Sequence, residues 1–433
     1  MMSSSSRRKA TRGVAALAAA ASLGSLIVNT STPASADPQP VLVATGSDTT
    51  QDVMNALAGF NNGISYAPIR SSAGSKYTSI VSYDAILGAK GTCISPKPAG
   101  ATFSRPNGST NGRKALSRAL DQTNWNVVNS TCPGEPAGQP IAGLVDIARS
   151  SAPPPVAAVA GALDTDPSAA LTYLPFGRDA LSFAYYRPAG APVTTLTSFE
   201  LNNIFTFGPA TVGGVKIIPC SIQAGSGTYQ SWNTAVGATP TNMLSATTQC
   251  RTAPGAVAPG EIQENDANAF KARGDALLTG AEANSQIVIG YSAANFIAQK
   301  NGASPDQTSS APTVDLGSID ALGKPYGGTA PNLAACGTAA GCTTDFYANT
   351  KYGRSVYNVV STARIGGPPT VNADIKTLLV GPTSAICSAA AQVTIGKFGF
   401  SPSSLPATGA GSCGFKAPND GLRGALITGA GSL

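Results

Sequence analysis

The chain has no histidine among its 433 residues. That absence removes Ser-His-Asp and Cys-His catalysis, and with them the commonest metal ligand. Charge is scarce as well: Asp, Glu, Lys and Arg make up 12% of the sequence, and aromatic residues 6%. No Cys-x-x-Cys pair offers a zinc site. Basic residues cluster only within the first dozen positions. The electrostatic footprint of a nucleic-acid binder is therefore missing.

What is present is an apolar, glycine-rich chain. Hydrophobic residues reach 42%, too many for a disordered protein, and the length has room for two or three domains. Low charge with abundant Ala, Gly, Ser and Thr fits an exported bacterial protein. Residues 1–36 read as a leader. Arg7, Arg8, Lys9 and Arg12 precede an apolar core from Val14 to Val28, and Ala34-Ser35-Ala36 matches the small-x-small cleavage pattern. The core is short for a membrane span. The leader holds four of the excess positive charges, so the mature chain from Asp37 carries about +2. A secreted location makes the eight cysteines disulfide candidates. Near neighbours give the simplest pairing: Cys93–Cys132, Cys220–Cys250, Cys336–Cys342 and Cys387–Cys413.

One local pattern recurs: an apolar strand, a Ser/Thr/Gly turn, then a helix. Val215–Pro219 leads through Gln223-Ala224-Gly225-Ser226-Gly227-Thr228 into a helix ending near Val236. Pro40–Thr45 leads through Gly46-Ser47-Asp48-Thr49-Thr50 into a helix from Gln51 to Phe60. Tyr66–Ile69, the turn Arg70-Ser71-Ser72-Ala73-Gly74-Ser75 and a helix over 76–87 make a third unit. The strand Ile141–Ala148 ends in a fourth turn, Arg149-Ser150-Ser151-Ala152-Pro153. Unpaired N–H groups at a helix start carry partial positive charge, and glycine lets an oxyanion approach them closely. Further strands are expected over Leu174–Tyr186, Gln286–Tyr291 and Arg354–Ser361. Further helices are expected over Leu196–Phe205, Asn265–Leu278, Ala373–Val380 and Ser384–Lys397. Alternating strands and helices predict an α/β fold, whose ligands sit where strands hand over to helices. Four such turns on one edge predict one convergent anion pocket. Two loop-rich stretches, 88–139 with a short helix near Arg113–Leu120 and 302–342, read as insertions.

In this order the motifs resemble the phosphate-type periplasmic solute-binding proteins of ABC uptake systems. The resemblance runs from the Gly46–Thr50 loop through Arg70–Ser75, Asp146–Pro153, the Leu196-Thr197…Leu201…Ile204-Phe205 helix, Ala224–Thr228 and Ile289-Gly290-Tyr291 to Gln392…Gly399-Phe400-Ser401-Pro402. It implies a type II periplasmic-binding-protein-like fold with a hinge and two lobes, 37–186 plus 291–433 and 187–290, closing on a ligand. It implies a small oxyanion, phosphate first, as ligand. It also implies an ABC permease as partner, a monomer, no cofactor and no chemistry. Carried over by position, Thr49, Ser71, Ser226, Gly227 and Thr228 are expected to supply the donors, with Ser72, Ser150 and Ser151 in the same loops as further site candidates. Two positions depart from the family. Ser151 stands where an acceptor Asp is usual, and Ile222-Gln223 stand where an Arg is usual. Asp48 is expected to replace the acceptor, and Arg70 or Arg149 the guanidinium.

Two other readings share these residues: a secreted phosphoesterase with Ser226 or Thr228 as nucleophile, and an extracellular interaction protein using the insertions as contact surface. The Leu405-Pro406-Ala407-Thr408-Gly409 segment matches a wall-sorting pentapeptide but is followed by neither an apolar span nor a basic tail. Glu261, Glu264 and Asp266 read as a solvated helix start, and Trp125 and Trp232 as packing residues.

Overall fold

The structure is a computed structural model. It describes residues 41–60, 68–73, 76–85, 93–127, 130, 132, 135, 138–254, 260–308, 313–337, 342, 344–416 and 422–431. The expected leader, and parts of the third turn and of both insertions, lie outside the described residues.

Eleven strands share one sheet. They are β1 (Val41–Gly46), β2 (Arg70–Ala73), β3 (Lys76–Ser82), β4 (Ile147–Ser150), β5 (Leu171–Tyr186), β6 (Ala210–Val212), β7 (Val215–Pro219), β8 (Gln286–Ser292), β9 (Asp315–Leu316), β10 (Gly353–Ser361) and β11 (Arg423–Gly424). The order is β6-β7-β8-β5-β10-β4-β1-β3-β2, with β9 and β11 also paired to β5. β3, β1 and β4 run parallel, as do β7 and β8. The other pairs are antiparallel.

The 16-residue β5 is the spine. Its first part, to Ala180, pairs with β10, and its last six residues pair with β8. Every β5 side chain except that of Arg178 is buried, as befits a strand covered on both faces. β10 comes from late in the chain and inserts between β4 and β5, so the chain leaves this part of the sheet after β5 and returns to it. This is the mixed α/β architecture expected from alternating strands and helices.

Helices cover the sheet: α1 (Gln51–Leu57), α2 (Gly108–Asp121), α3 (Ser198–Phe207), α4 (Gly227–Val236), α5 (Pro240–Ala246), α6 (Ala267–Leu277), α7 (Ala293–Lys300), α8 (Ala373–Leu379) and α9 (Ala389–Lys397). Their starts are written in the sequence. Thr197 and Glu200 form a reciprocal capping box on α3, and Ser226, Ser292 and Ser388 cap α4, α7 and α9. One apolar core gathers the last part of β5 with β7, β8, α3 and α4, among them Phe183, Phe205, Ile217 and Trp232. A second joins β1 and the first part of β5 to α1, α8 and α9 through Leu42, Met54, Phe176, Leu378 and Ile395. Trp125 and Trp232 are both buried packing residues, as expected. All four disulfides pair near neighbours as expected.

Two expectations are corrected. Residues 70–73 and 76–82 pair as the antiparallel strands β2 and β3 rather than forming a turn and a helix. Four of the five residues in Tyr77-Thr78-Ser79-Ile80-Val81 are β-branched or aromatic, a composition that suits a strand better than a helix. The strand expected over Ile141–Ala148 is also displaced: a turn occupies 142–144 and β4 begins at Ile147. The insertion helix is longer than expected, starting at Gly108. Among the described residues no helix is long and apolar enough to cross a membrane.

Candidate functional site

The site lies where β1 and β4 end and α2, α4 and α7 begin. Close glycine contact brings α2 there. Gly46 has φ 107°, and a Cβ on it would stand 2.8 Å from the Cα of Gly112. The backbone N–H of Thr110 donates to the carbonyl of Gly225 (3.2 Å), tying α2 to the turn before α4.

Four chain segments then deliver hydroxyls to one buried cluster. Thr49 Oγ1 meets Thr228 Oγ1 at 3.1 Å across 179 residues of sequence. Ser47 Oγ donates to Ser151 Oγ (3.2 Å), and Ser109 Oγ lies 3.3 Å from Ser151 Oγ while accepting the Ser151 N–H at 3.0 Å. Gly227 is wedged against this pair, since a Cβ there would collide with both Ser151 Oγ and Ser109 Oγ. α4 opens at Gly227, so its first N–H groups have no carbonyl one turn back within the helix.

The cluster's cation is Arg354 of β10. Its Nη2 donates to Thr228 Oγ1 (2.8 Å) and lies 3.5 Å from Thr49 Oγ1, and its Nη1 donates to the Ser151 carbonyl (3.1 Å). Asp179 of β5 holds the guanidinium by Nε (3.1 Å) and Nη2 (2.8 Å). The Asp179 carboxylate also accepts the N–H groups of Ala180 and Ala294, the latter in the first turn of α7. Helix start and guanidinium together neutralise this fully buried acid.

A second carboxyl group, that of Glu264, also reaches the hydroxyls. Glu264 Oε2 accepts from Ser226 Oγ (2.7 Å) and Thr49 Oγ1 (3.1 Å). Its Oε1 is buried without a hydrogen-bond partner. The reading of Glu264 as solvated is corrected: it is 2% exposed. Ile262 bridges Ile222, Gln223 Oε1 accepts the Glu264 N–H (2.6 Å), and Asn265 turns the chain with φ 60°. Asp266, not Glu264, caps α6.

Of the residues singled out from sequence, Thr49, Ser151, Ser226, Gly227 and Thr228 meet in this cluster. Asp48 stands at its margin, 3.4 Å from Gln263 Nε2. Burial, then the nearby charges of Glu264 and Asp52, push its carboxyl well above the usual range. Ser150 closes its own turn, donating to the Ala152 carbonyl (2.7 Å). Arg149 is buried but turned away from the hydroxyls. It donates to the carbonyls of Gly46 (2.9 Å) and Ser47 (3.2 Å) and to Ser82 Oγ (2.7 Å), fastening the end of β1. Burial lowers its pKa to about 10.

Arg70, Ser71 and Ser72 do not join the cluster. They stand on β2, where Arg70 pairs with Ser79, itself level with Val41. That is the amino end of β1, about 15 Å along the strand from its carboxyl end. Arg70 is exposed there, and Ser71 Oγ is buried without a partner. Sequence reasoning missed Ser47, Ser109, Asp179 and Arg354. Asp179 is the one acid in β5, and Arg354 the one charge in β10. Opposite charges in two buried strands were the available signal. Among the described residues no group of three or more Cys, Asp or Glu side chains is placed to hold a metal ion.

No family model matches the chain, and no curated protein matches it. In structure it is similar to an ABC-type phosphate transport receptor of Vibrio cholerae, at 15% identity and TM-score 0.38, over 83% of this chain and 99% of that one. It is also similar to PstS of Borrelia burgdorferi, at 14% identity and TM-score 0.35, over 88% and 100% of the two chains. A phosphate-binding protein of Stenotrophomonas maltophilia is similar at 14% identity and TM-score 0.38, over 89% and 100%.

Proposed function

We propose that this chain is a solute-binding protein that captures a small protonated oxyanion, hydrogen phosphate foremost, and passes it on without chemistry. One observation carries the reading: Thr49, the Ser226–Thr228 turn and Arg354 come from three distant segments and bring their donors to one buried place. A tetrahedral oxyanion accepts from such donors through several oxygens at once, and the guanidinium supplies the charge-assisted pair. An entering anion replaces the direct Thr49–Thr228 contact and shares Thr49 and Ser226 with Glu264. Glu264 Oε1 then accepts the proton of hydrogen phosphate, the part first assigned to Asp48. Sulfate has no proton to give at neutral pH, and so it is disfavoured.

In this proposal residues 1–36 are an export leader, the mature protein is a monomer outside the cytoplasm, and an ABC permease receives its ligand. The two lobes, 37–186 plus 291–433 and 187–290, close on the anion by movement about β5 and β8. Thermal-shift measurements on the purified protein test the reading. Phosphate and arsenate should raise the Tm, and sulfate and nitrate should not. No shift with any oxyanion contradicts it.

A phosphoesterase remains the second reading, because Ser226 Oγ stands 2.7 Å from the Glu264 carboxyl, an arrangement that could activate a nucleophile. Turnover of a chromogenic phosphate ester that is lost in Ser226→Ala would replace the binding proposal.

A further inference from the structure

Next to the hydroxyl cluster, and closed off from it, lies a cleft of about 480 Å³. The Ser151 carbonyl accepts from Arg354 Nη1 (3.1 Å) and from Ser231 Oγ (3.3 Å), and these contacts form the partition. The volume is that of a pocket for a small organic ligand. Three distant segments wall it: the run Ala152–Pro155, side chains of α4, and the β5–β10 pair with the loop that precedes β10. Among the described residues no carboxylate lines it. Of its three cations Arg354 is already neutralised by Asp179, which leaves Arg178 and Lys351.

The Arg178 guanidinium is fixed in place by carbonyls. Its Nε donates to Tyr347 (2.6 Å) and its Nη2 to Asn349 (3.1 Å). Gly353 makes the room, since a Cβ there would stand 2.5 Å from Nη2. Nη1 is left over, 3.5 Å from Ser355 Oγ, and both residues line the cleft. The acids whose charges reach Arg178, Asp345 and Asp179, lie outside the lining. Lys351 is rooted on the same loop: its backbone N–H donates to Asn349 Oδ1 (2.8 Å), and its ammonium lies 5.2 Å from the centre of the Tyr352 ring. Among the described residues neither Arg178 nor Lys351 forms an ion pair.

We infer that this cleft is a second ligand site, separate from the hydroxyl cluster, and that it takes small organic dicarboxylates. One carboxylate lies on Arg178 Nη1 and Ser355 Oγ, where the guanidinium makes the bond charge-assisted. The other meets Lys351 at the rim. The carbon skeleton between them packs on Pro153, Pro155, Leu181 and Tyr357, which line the cleft as well. Three successive prolines keep that wall rigid, so little ordering is needed on binding. An inorganic ion would leave the apolar wall wet. An amino acid would bring an ammonium group for which the lining offers no carboxylate. The inference does not depend on the oxyanion-binding reading above.

Calorimetry with glutarate and with phthalate tests it on the wild-type protein and on two variants, Lys351→Glu and Thr234→Trp. Both positions are exposed, so each variant should keep the fold, and a thermal melt checks that it does. The first reverses the charge at the rim, and the second fills the cleft while leaving every charge in place. The expected result is saturable binding of at least one dicarboxylate with a Kd below about 1 mM, weakened tenfold or more by each variant and unchanged by saturating inorganic phosphate. No binding of either dicarboxylate by the wild type overturns the inference. Binding that either variant leaves unaltered, or that inorganic phosphate displaces, also overturns it. Phosphate titrated alone reads the oxyanion proposal separately. Dicarboxylate binding by a protein that takes no phosphate defeats that proposal and leaves this inference standing.

Discussion

Replacing Glu264 by Gln separates two roles that the same geometry allows. The side chain accepts from Ser226 and Thr49 through one oxygen and leaves the other buried without a partner. If that second oxygen receives the proton of hydrogen phosphate, the bond is charge-assisted and contributes about 1.5–3 kcal/mol. Gln keeps the volume and one acceptor but loses the charge. The phosphate Kd should therefore rise by about 10- to 150-fold. Sulfate should respond in the opposite direction. Two unit charges about 4 Å apart near a protein surface repel by about 4 kcal/mol before salt screening, and the variant removes that repulsion. Sulfate binding should then appear or tighten. Calorimetry with both anions at pH 7.5, beside a thermal melt to confirm folding, reads both effects. Tighter phosphate binding in Glu264→Gln would refute the reasoning. Glu264 would then be a tethered competitor for the donors rather than an acceptor.

Three further outcomes follow from the packing. Gly227→Ala places a methyl group against Ser151 Oγ and Ser109 Oγ. It should destabilise by about 1–3 kcal/mol and weaken phosphate binding more than tenfold, and a wild-type melt with wild-type affinity would contradict the contact. Asp52 has its pKa pushed up to about 6, chiefly by burial and in smaller part by the charge of Asp84. Its raised value favours the protonated form in the folded state. The contribution to stability is therefore full below about pH 4 and lost as pH rises through 6. Asp52→Asn should stabilise at pH 7.5 by up to about 3 kcal/mol, and the variant's gain should vanish toward pH 4. Parallel denaturation profiles from pH 4 to 7.5 would exclude that role. Breaking the Cys220–Cys250 bridge by paired serine substitution opens a loop with a sequence separation of 30 just before the seat. The loss should be about 3–4 kcal/mol in chemical denaturation, and an unchanged midpoint would show that the bridge constrains nothing.

Local signals carried far in this chain. β1, β5, α3 and α4 follow from apolar runs, a capping box and a Gly-Ser-Gly-Thr start, because those devices act within a few residues. The disulfides were legible because each joins close neighbours in sequence. The β2–β3 pair was not legible, because Ser-Ser-Ala-Gly-Ser resembles a ligand loop in composition while the pairing register decides which end of the sheet it occupies. Arg354 and Asp179 pair across 175 residues, so a charge in each buried strand calls for a partner without saying where in the chain it lies. Glu264 looked like an ordinary acid before a helix. Only the bridge between Ile262 and Ile222 and the turn at Asn265 aim it inward.

The central claim is that Arg354 and the hydroxyls around it form an anion seat rather than a structural knot. Isothermal titration of inorganic phosphate into the wild-type protein and into Arg354→Met tests it most directly. Saturable one-to-one binding by the wild type, abolished or weakened at least a hundredfold in a variant that still melts cooperatively, is the predicted result. Equal binding by both proteins, or none by either, contradicts it.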